Sequence, residues 1–334
     1  MKRVGIFFGG SSSEREVSLE GGRNVYQKLA PTAEERNPIF VDSKLCFWLL
    51  DESLLLQNTT ADVERLCEKR ARRIAMDDLP GLIDFAFIIG HGKFMEDGCL
   101  QGLLEILQIP YNGSGVLGSA LGADKWVQRR ILRAAGIAVP KTVTVTQAAW
   151  QSRPADVKEQ VGAELQLPAV VKPSREGCST AIGMISSWDQ MDAAVEDALK
   201  WDSRILVEER LIGMEVTVSV LGNHEHREAL PITETPWGEN KGYLTLQDKF
   251  LPGGAEMVTP ARLSPELTTR VQQTAVRVCE VLGLVGYPRI DLFVAPDGTP
   301  VVLEANTLPG ITPSTMVFHQ AAEVGMSSGQ FLNR

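Results

Sequence analysis

With 334 residues and a net charge of −9 that no basic stretch offsets, the chain is long enough for two or three domains and ill suited to bind nucleic acid. Its five cysteines, Cys46, Cys67, Cys99, Cys178 and Cys279, are scattered without CxxC spacing, which argues against a disulfide scaffold or a zinc site and for reduced thiols. No apolar run approaches the ~18 residues of a membrane span, and the opening MKRVGIFFGG has no small-residue cleavage site, so the expectation is a cytoplasmic protein with small-molecule partners, without membrane or nucleic acid.

The chain opens with a buried strand, Val4 to Phe8, and a Gly9-Gly10 turn. Ser13, with Glu16 three residues on, reads as a capping box that starts a helix at Glu14 or nearby. That places a polar loop at the carboxyl end of a first parallel strand, where open α/β sheets bind ligands. A second strand spans 82 to 89, followed by a loop with His91, Glu96 and Asp97 and a helix over LQGLLEIL. A histidine before a glycine reads equally well as a loop residue bonding backbone, and His91 stays open on this ground alone.

From about 113 the texture changes. GSGVLGSALGADKWVQRRILRAAGIAVP predicts a helix with Asp124 as N-cap, apolar Trp126, Ile131 and Leu132, and a stop at Gly136 before Pro140. Lys125 in the first turn opposes the helix dipole, which makes sense if an anion also comes there. AVVKPSREGCSTAIGMI then gives two short strands flanking a loop of small residues, with Lys172 at the end of the first strand. Free backbone N–H groups beside a lysine suit phosphate. The spacing matches neither GxxxxGK[ST] nor GxGxxG, and an ordinary hairpin loop remains the alternative. RILVEERLIGMEVTVSVLG adds two strands with Glu208 and Glu215 at their approaches, placed either to contact a nucleoside or simply to face solvent. The long polar loops are 222 to 228 and 234 to 256.

The most informative segment is RIDLFVAPDGTPVVLEAN, residues 289 to 306. Asp297-Gly298 is a two-residue turn signal between apolar runs, and centring the turn there sets Arg289 opposite Asn306 and Asp291 opposite Glu304. All four then share one face. Two carboxylates directly across a strand pair repel unless a cation sits between them. Carboxylates with an amide oxygen, and no thiol or imidazole, are hard ligands of the kind Mg²⁺ takes together with phosphate. A surface ladder in which Arg289 cancels one acid is the bland alternative.

The runs GGSSSEREVSL, HGKFMEDGCLQGLLE, GSGVLGSALGADK, VVKPSREG, VEERLIGME and RIDLFVAPDGTPVVLEANTLPGITPS lie in the order found in the D-alanine:D-alanine ligase family of ATP-grasp enzymes, and the chain resembles that family along nearly its whole length. The resemblance implies an α/β (α+β) three-domain ATP-grasp fold. Residues 1–115 would form an N-terminal unit on an open parallel sheet, 116–207 a central unit and 208–334 a C-terminal unit, with ATP between the last two. It implies that ATP phosphorylates the carboxylate of a first amino acid and that the amine of a second attacks the acyl phosphate, with ADP and phosphate released. Position by position, Lys125 and Lys172 match phosphate ligands, Glu208 and Glu215 adenine and ribose contacts, and Lys249 the lysine that reaches the γ-phosphate. Asp291, Glu304 and Asn306 match a site for two Mg²⁺ ions, with Mn²⁺ as substitute. Arg289 and the backbone of Gly310 match the oxyanion-stabilising groups, Glu14 and His91 the anchors of the first substrate, and Ser314 a contact to the carboxylate of the second. A homodimer is implied too.

Departures from the family pattern bear on the substrate. Cys178 and Phe250 stand where members making D-alanyl-D-alanine usually have serine and tyrosine, whose hydroxyls join the Glu14 position in a hydrogen-bonded triad. Ser314-Thr315-Met316-Val317 replaces Ser-Leu-x-x-Pro, so Thr315 alters the wall of the second-substrate site. GYLTLQDKF before and around Lys249, and HGKFMEDG after the second strand, also differ. The expectations are therefore a D-alanine:D-alanine ligase, a specialised ligase making D-alanyl-D-lactate or joining amino acids to a natural-product scaffold such as a mycosporine, or a nucleotide-binding homologue without ligase activity.

Overall fold

The structure is a computed structural model that describes residues 3–29, 33–177, 180–236 and 257–334. Cys178, Lys249 and Phe250 lie outside the described residues, and no structural role is assigned to them.

The first sheet contains β1 (Arg3–Gly9), β2 (Glu35–Val41), β3 (Phe47–Leu49), β4 (Arg72–Ile74) and β5 (Phe85–Ile88) in the order β4-β3-β2-β1-β5. It is mixed rather than purely parallel: β2 and β5 run parallel to β1, while β3 and β4 are added antiparallel at one edge. β1 is buried along nearly all its length, as expected of a central strand covered on both faces.

The helix after β1 spans Arg15–Lys28, but the expected capping box does not form. Ser13 Oγ instead donates to Glu176 at 3.3 Å, and the Glu16 carboxylate accepts from the backbone N–H of Thr60 at 2.9 Å. Both side chains serve distant segments, so no sequence-local pattern decides their partners.

The second sheet, β6 (Thr142–Thr146), β7 (Ala169–Pro173), β8 (Gly183–Ile185) and β9 (Arg204–Glu209), is antiparallel in the order β6-β9-β7-β8. Alternation divides its faces. Val171, Ile205 and Val207 pack beneath helices Pro154–Glu164 and Met191–Leu199, while Lys172, Leu206 and Glu208 point the other way.

The third sheet comprises β10 (Met214–Gly222), β11 (Arg227–Ala229), β12 (Thr233–Glu234), β13 (Arg289–Val294) and β14 (Pro300–Asn306). Its order is β11-β10-β13-β14, with β12 also on β10. Val216, Val218, Ile290, Leu292 and Val302 pack against Val271, Ala275 and Val278 of helix Pro265–Leu282. Leu132, from helix Lys125–Ala134, joins this third core rather than the central one its sequence position suggested. After β14 the chain returns to its beginning: Phe318 and Phe331 of the last helices belong to the first core. Among the described residues no helix is long and apolar enough to cross a membrane.

Candidate active site

The hairpin β13–β14 carries the pairs expected of it, by a different route. Its loop holds three residues, Pro296, Asp297 and Gly298: Ala295 and Thr299 close it through a 2.9 Å hydrogen bond, and Gly298 takes the left-handed φ of +80° that a glycine tolerates. Taken alone, that third residue would shift the register by one. A bulge cancels the shift, since Leu292 faces Val302 while Asp291 faces Glu304, leaving Leu303 over. The bulge also resets the alternation along β14. Val302 and Ala305 point into the third core, whereas Glu304 and Asn306 turn out beside Asp291 and Arg289.

On that face Asp291 accepts both Arg289 nitrogens, at 3.0 and 2.8 Å, together with Thr217 Oγ1 at 2.9 Å and Asn306 Nδ2 at 3.1 Å. Glu304 lies 3.1 Å from Lys125 Nζ. The repulsion foreseen between the facing acids is thus answered by two different cations, one within the hairpin and one from a remote helix.

Asp124 caps helix Lys125–Ala134 as expected, accepting from the N–H groups of Trp126 and Val127. Lys125, at its first position, also donates to the Glu176 carbonyl at 2.6 Å. Burial opposes its charge, but Glu304 outweighs burial and raises the Lys125 pKa. Gln128, which sequence reasoning missed, holds β14 between Glu304 and Asn306: its Oε1 accepts the Ala305 N–H at 2.9 Å and its Nε2 donates to the Ala305 carbonyl at 3.1 Å. A helix side chain here completes the hydrogen bonding of a strand edge.

A cavity of about 140 Å³ collects most of the candidate residues. Glu14, His91, Glu215, Arg289, Asp291, Glu304, Asn306, Gly310, Ser314 and Thr315 all line it. His91 is buried, and its Nε2 has no hydrogen-bond partner of good geometry among the described residues. Burial disfavours the imidazolium, yet Glu96 and Glu14 outweigh burial and raise the His91 pKa. Glu14 closes one wall against the phosphate-loop candidate: a side chain at Gly177 would come within 2.3 Å of the Glu14 carboxylate. Thr315 Oγ1 donates to the Gly310 carbonyl at 2.6 Å, and Asn24 Nδ2 to that of Ile311 at 2.9 Å, so the loop after β14 is fixed from both sides.

Lys172 and Glu208 form a second charged group on the cleft face of the central sheet. Glu208 lies opposite Val170, which makes Lys172 its diagonal neighbour, with 2.6 Å between Nζ and carboxylate. Burial pushes the Lys172 pKa down. Burial acts to raise that of Glu208, but Arg129 and Lys172 together hold it down at about 2.

Asp291, Glu304 and Asn306 suit a divalent metal by donor chemistry, being hard oxygen donors on one face. Among the described residues no group of three or more His, Cys, Asp or Glu could hold a metal by itself. Two carboxylates and an amide therefore fit an ion that shares its remaining positions with phosphate and water.

Comparison with known proteins yields a consistent set. The family model described as D-ala D-ala ligase N-terminus matches residues 3–114, and that of the D-ala D-ala ligase C-terminus matches 131–334. The D-alanine–D-alanine ligase of Syntrophobacter fumaroxidans is 36% identical over 333 residues, 99% of this chain and 95% of that protein. The corresponding ligase of Geobacillus kaustophilus is 34% identical over 329 residues, 94% of this chain and 88% of its own. Two solved structures superpose along the whole molecule. The VanG D-Ala:D-Ser ligase of Enterococcus faecalis does so with a TM-score of 0.85 at 28% identity, covering 99% of this chain and 97% of that one. The D-alanine–D-alanine ligase of Coxiella burnetii gives 0.82 at 26%, covering 100% and 92%.

Proposed function

We infer the reaction of this chain from the premise that it belongs to the D-alanine–D-alanine ligase family and is an ATP-dependent ligase of amino acids with the ATP-grasp fold, using a divalent metal. The reading is that ATP phosphorylates the carboxylate of a first amino acid, that the amine of a second attacks the acyl carbon, and that phosphate leaves as the C–N bond forms. The observation that carries it is the single cavity in which the acidic hairpin face meets Glu14, His91, Gly310 and Ser314.

In this reading Glu14 and His91 hold the first substrate by its amine end. Arg289 and the Gly310 N–H face the charge that develops on the acyl oxygen, where fixed donors in a dry site contribute several kcal/mol. Ser314 receives the carboxylate of the second substrate, and Lys125 and Lys172 receive phosphates, with Glu208 and Glu215 at the nucleoside. Asp291, Glu304 and Asn306 would hold Mg²⁺, as two ions, or Mn²⁺; a metal bound there neutralises phosphate charge. Association as a homodimer is part of the reading and rests on family likeness alone. The test is release of ADP from Mg²⁺-ATP with D-alanine, and mass spectrometry of the product. No ADP release with any D- or L-amino acid pair, from a folded protein that binds ATP, would leave only a nucleotide-binding homologue.

A second reading differs in the acceptor. Cys178 and Phe250 lack the hydroxyls of the family triad, and Thr315, which stands where the family pattern has leucine after Ser314, lines the cavity with Met316. Likeness to a D-Ala:D-Ser ligase adds support. D-serine or D-lactate then replaces the second D-alanine as the nucleophile, or a natural-product scaffold replaces the first as the group that ATP activates. Competing these acceptors against D-alanine near neutral pH, in wild type and in Cys178→Ser/Phe250→Tyr, separates the readings. Rapid dipeptide formation by wild type, unaltered in the double variant, ends the second one.

A further inference from the structure

Arg129, which pairs with Glu208 beside Lys172, is the most deeply buried arginine near the site, 2% exposed. One turn after Lys125 on the same helix face, it donates to Glu208 from Nε at 2.9 Å and from Nη2 at 3.3 Å. Its Nη1 is buried with no partner among the described residues. Helix Lys125–Ala134 thereby ties two sheets together, with Lys125 on Glu304 of the third and Arg129 on Glu208 of the second. Lys125, Arg129 and Lys172 make their ion pairs with Glu208 and Glu304, and Glu14 adds attraction to Lys125. A buried, partly unpaired guanidinium is costly for a fold that gains nothing else from it.

We propose that Arg129 is a positioning residue for the nucleotide. It clamps both oxygens of Glu208, and the clamped carboxylate sets the ammonium of Lys172 on the cleft face. Neither Lys172 nor Glu208 can rest elsewhere without breaking a charge-assisted bond, so the purine end and the phosphate end of the ligand meet a preformed pair. Lysine cannot replace this clamp fully, because one ammonium does not span a carboxylate as a fork does. The inference rests on the reading that Lys172 and Glu208 face the nucleotide.

Arg129→Met, Arg129→Lys and Lys172→Ala are to be compared by steady-state kinetics and by calorimetric titration with Mg²⁺-ATP and with Mg²⁺-GTP. Loss of a charged hydrogen-bond pair corresponds to roughly a ten- to hundredfold change. The expected result is that size of rise in KM for ATP in Arg129→Met, with KM for D-alanine within about twofold, reduced preference for ATP over GTP, and a smaller rise in Arg129→Lys. Should Arg129→Met fail to fold, Arg129→Lys decides: unchanged nucleotide affinity and selectivity there overturns the proposal. So does a folded Arg129→Met whose KM values for ATP and amino acid move together. If Lys172→Ala also leaves ATP affinity unchanged, the nucleotide reading itself falls; if Lys172→Ala weakens ATP while both Arg129 variants do not, the role of Arg129 alone is lost.

Discussion

Two antiparallel strand pairs face the cleft, and they solve opposite electrostatic problems. On β13–β14 two carboxylates sit directly across from each other, and relief comes from Arg289 two residues away and from Lys125 on a helix remote in sequence. On β7–β9 the cross-strand neighbours Lys172 and Glu208 already attract, and Arg129 adds a further cation to them. The hairpin thus gathers carboxylate and amide oxygens on one face, with a cation answering each acid. The central pair sets two cations around one acid. One helix supplies a cation to each, Lys125 to the hairpin and Arg129 to the central pair.

The sharpest way to break this contrast is Glu304→Gln. Removing one of the facing acids should cut turnover by roughly a hundredfold or more, equivalent to about 3 kcal/mol of lost transition-state stabilisation. Thermal stability without metal should change little, because lost attraction to Lys125 is offset by relief of the Asp291–Glu304 repulsion. The rise in Tm on adding Mg²⁺ with ATP should shrink. Normal turnover in this variant would remove the hairpin from the metal assignment.

Lys172→Ala acts on the other pair and should weaken ATP by about 1.5–3 kcal/mol while leaving the affinity for D-alanine intact. Titration calorimetry with each ligand in turn checks this. Equal losses for both ligands would mean that the central pair shapes the whole cleft and not the nucleotide end.

Gln128→Leu tests how the hairpin is held. The substitution keeps approximate volume but leaves the Ala305 N–H and C=O without their side-chain partner, a cost of about 1–3 kcal/mol in urea unfolding. Because Ala305 lies between Glu304 and Asn306, metal-dependent stabilisation should fall with it, whereas ATP binding without metal should not. A variant as stable as wild type would show that the strand keeps its course unaided.

What the sequence made legible follows from range. Asp124 as N-cap and the pairing of Asp291 with Glu304 rest on patterns a few residues long, and both appear. The hairpin pairing was nevertheless reached through two compensating departures, a three-residue loop and a bulge at Leu303, because an Asp-Gly pair specifies a turn but not whether one more residue enters it. Ser13 and Glu16 failed as a capping box because tertiary partners outcompete a local bond. Gln128 and Arg129 went unseen, although a signal existed: Lys125, Gln128, Arg129 and Leu132 fall at i, i+3, i+4 and i+7, one mostly polar helix face on which Gln128, Arg129 and Leu132 are buried. A polar stripe where a core stripe belongs marks a site. Which sheets it would bridge depends on contacts about 80 to 180 residues apart, such as Arg129 with Glu208 and Lys125 with Glu304, and no window of the sequence holds those.

The smallest effect concerns acid. Glu208 titrates at about 2 in the folded protein against an ordinary 4.5, since Arg129 and Lys172 overcome the burial that would otherwise raise it. A depressed carboxyl stabilises the folded state fully above its unfolded value, so this contribution is intact above 4.5 and drains away as pH falls toward about 2. The slope from this one proton approaches ~1.4 kcal/mol per pH unit within that window. Glu208→Gln lowers stability at neutrality by stranding two buried cations, yet it lacks the titrating group, so its unfolding free energy should fall less steeply between pH 5 and pH 3 than that of wild type. Urea titrations of wild type and Glu208→Gln at pH 7, 5, 4 and 3 read this directly. Parallel slopes for wild type and Glu208→Gln would mean that Glu208 is not clamped, and the contrast between the two strand pairs would reduce to their sequence alone.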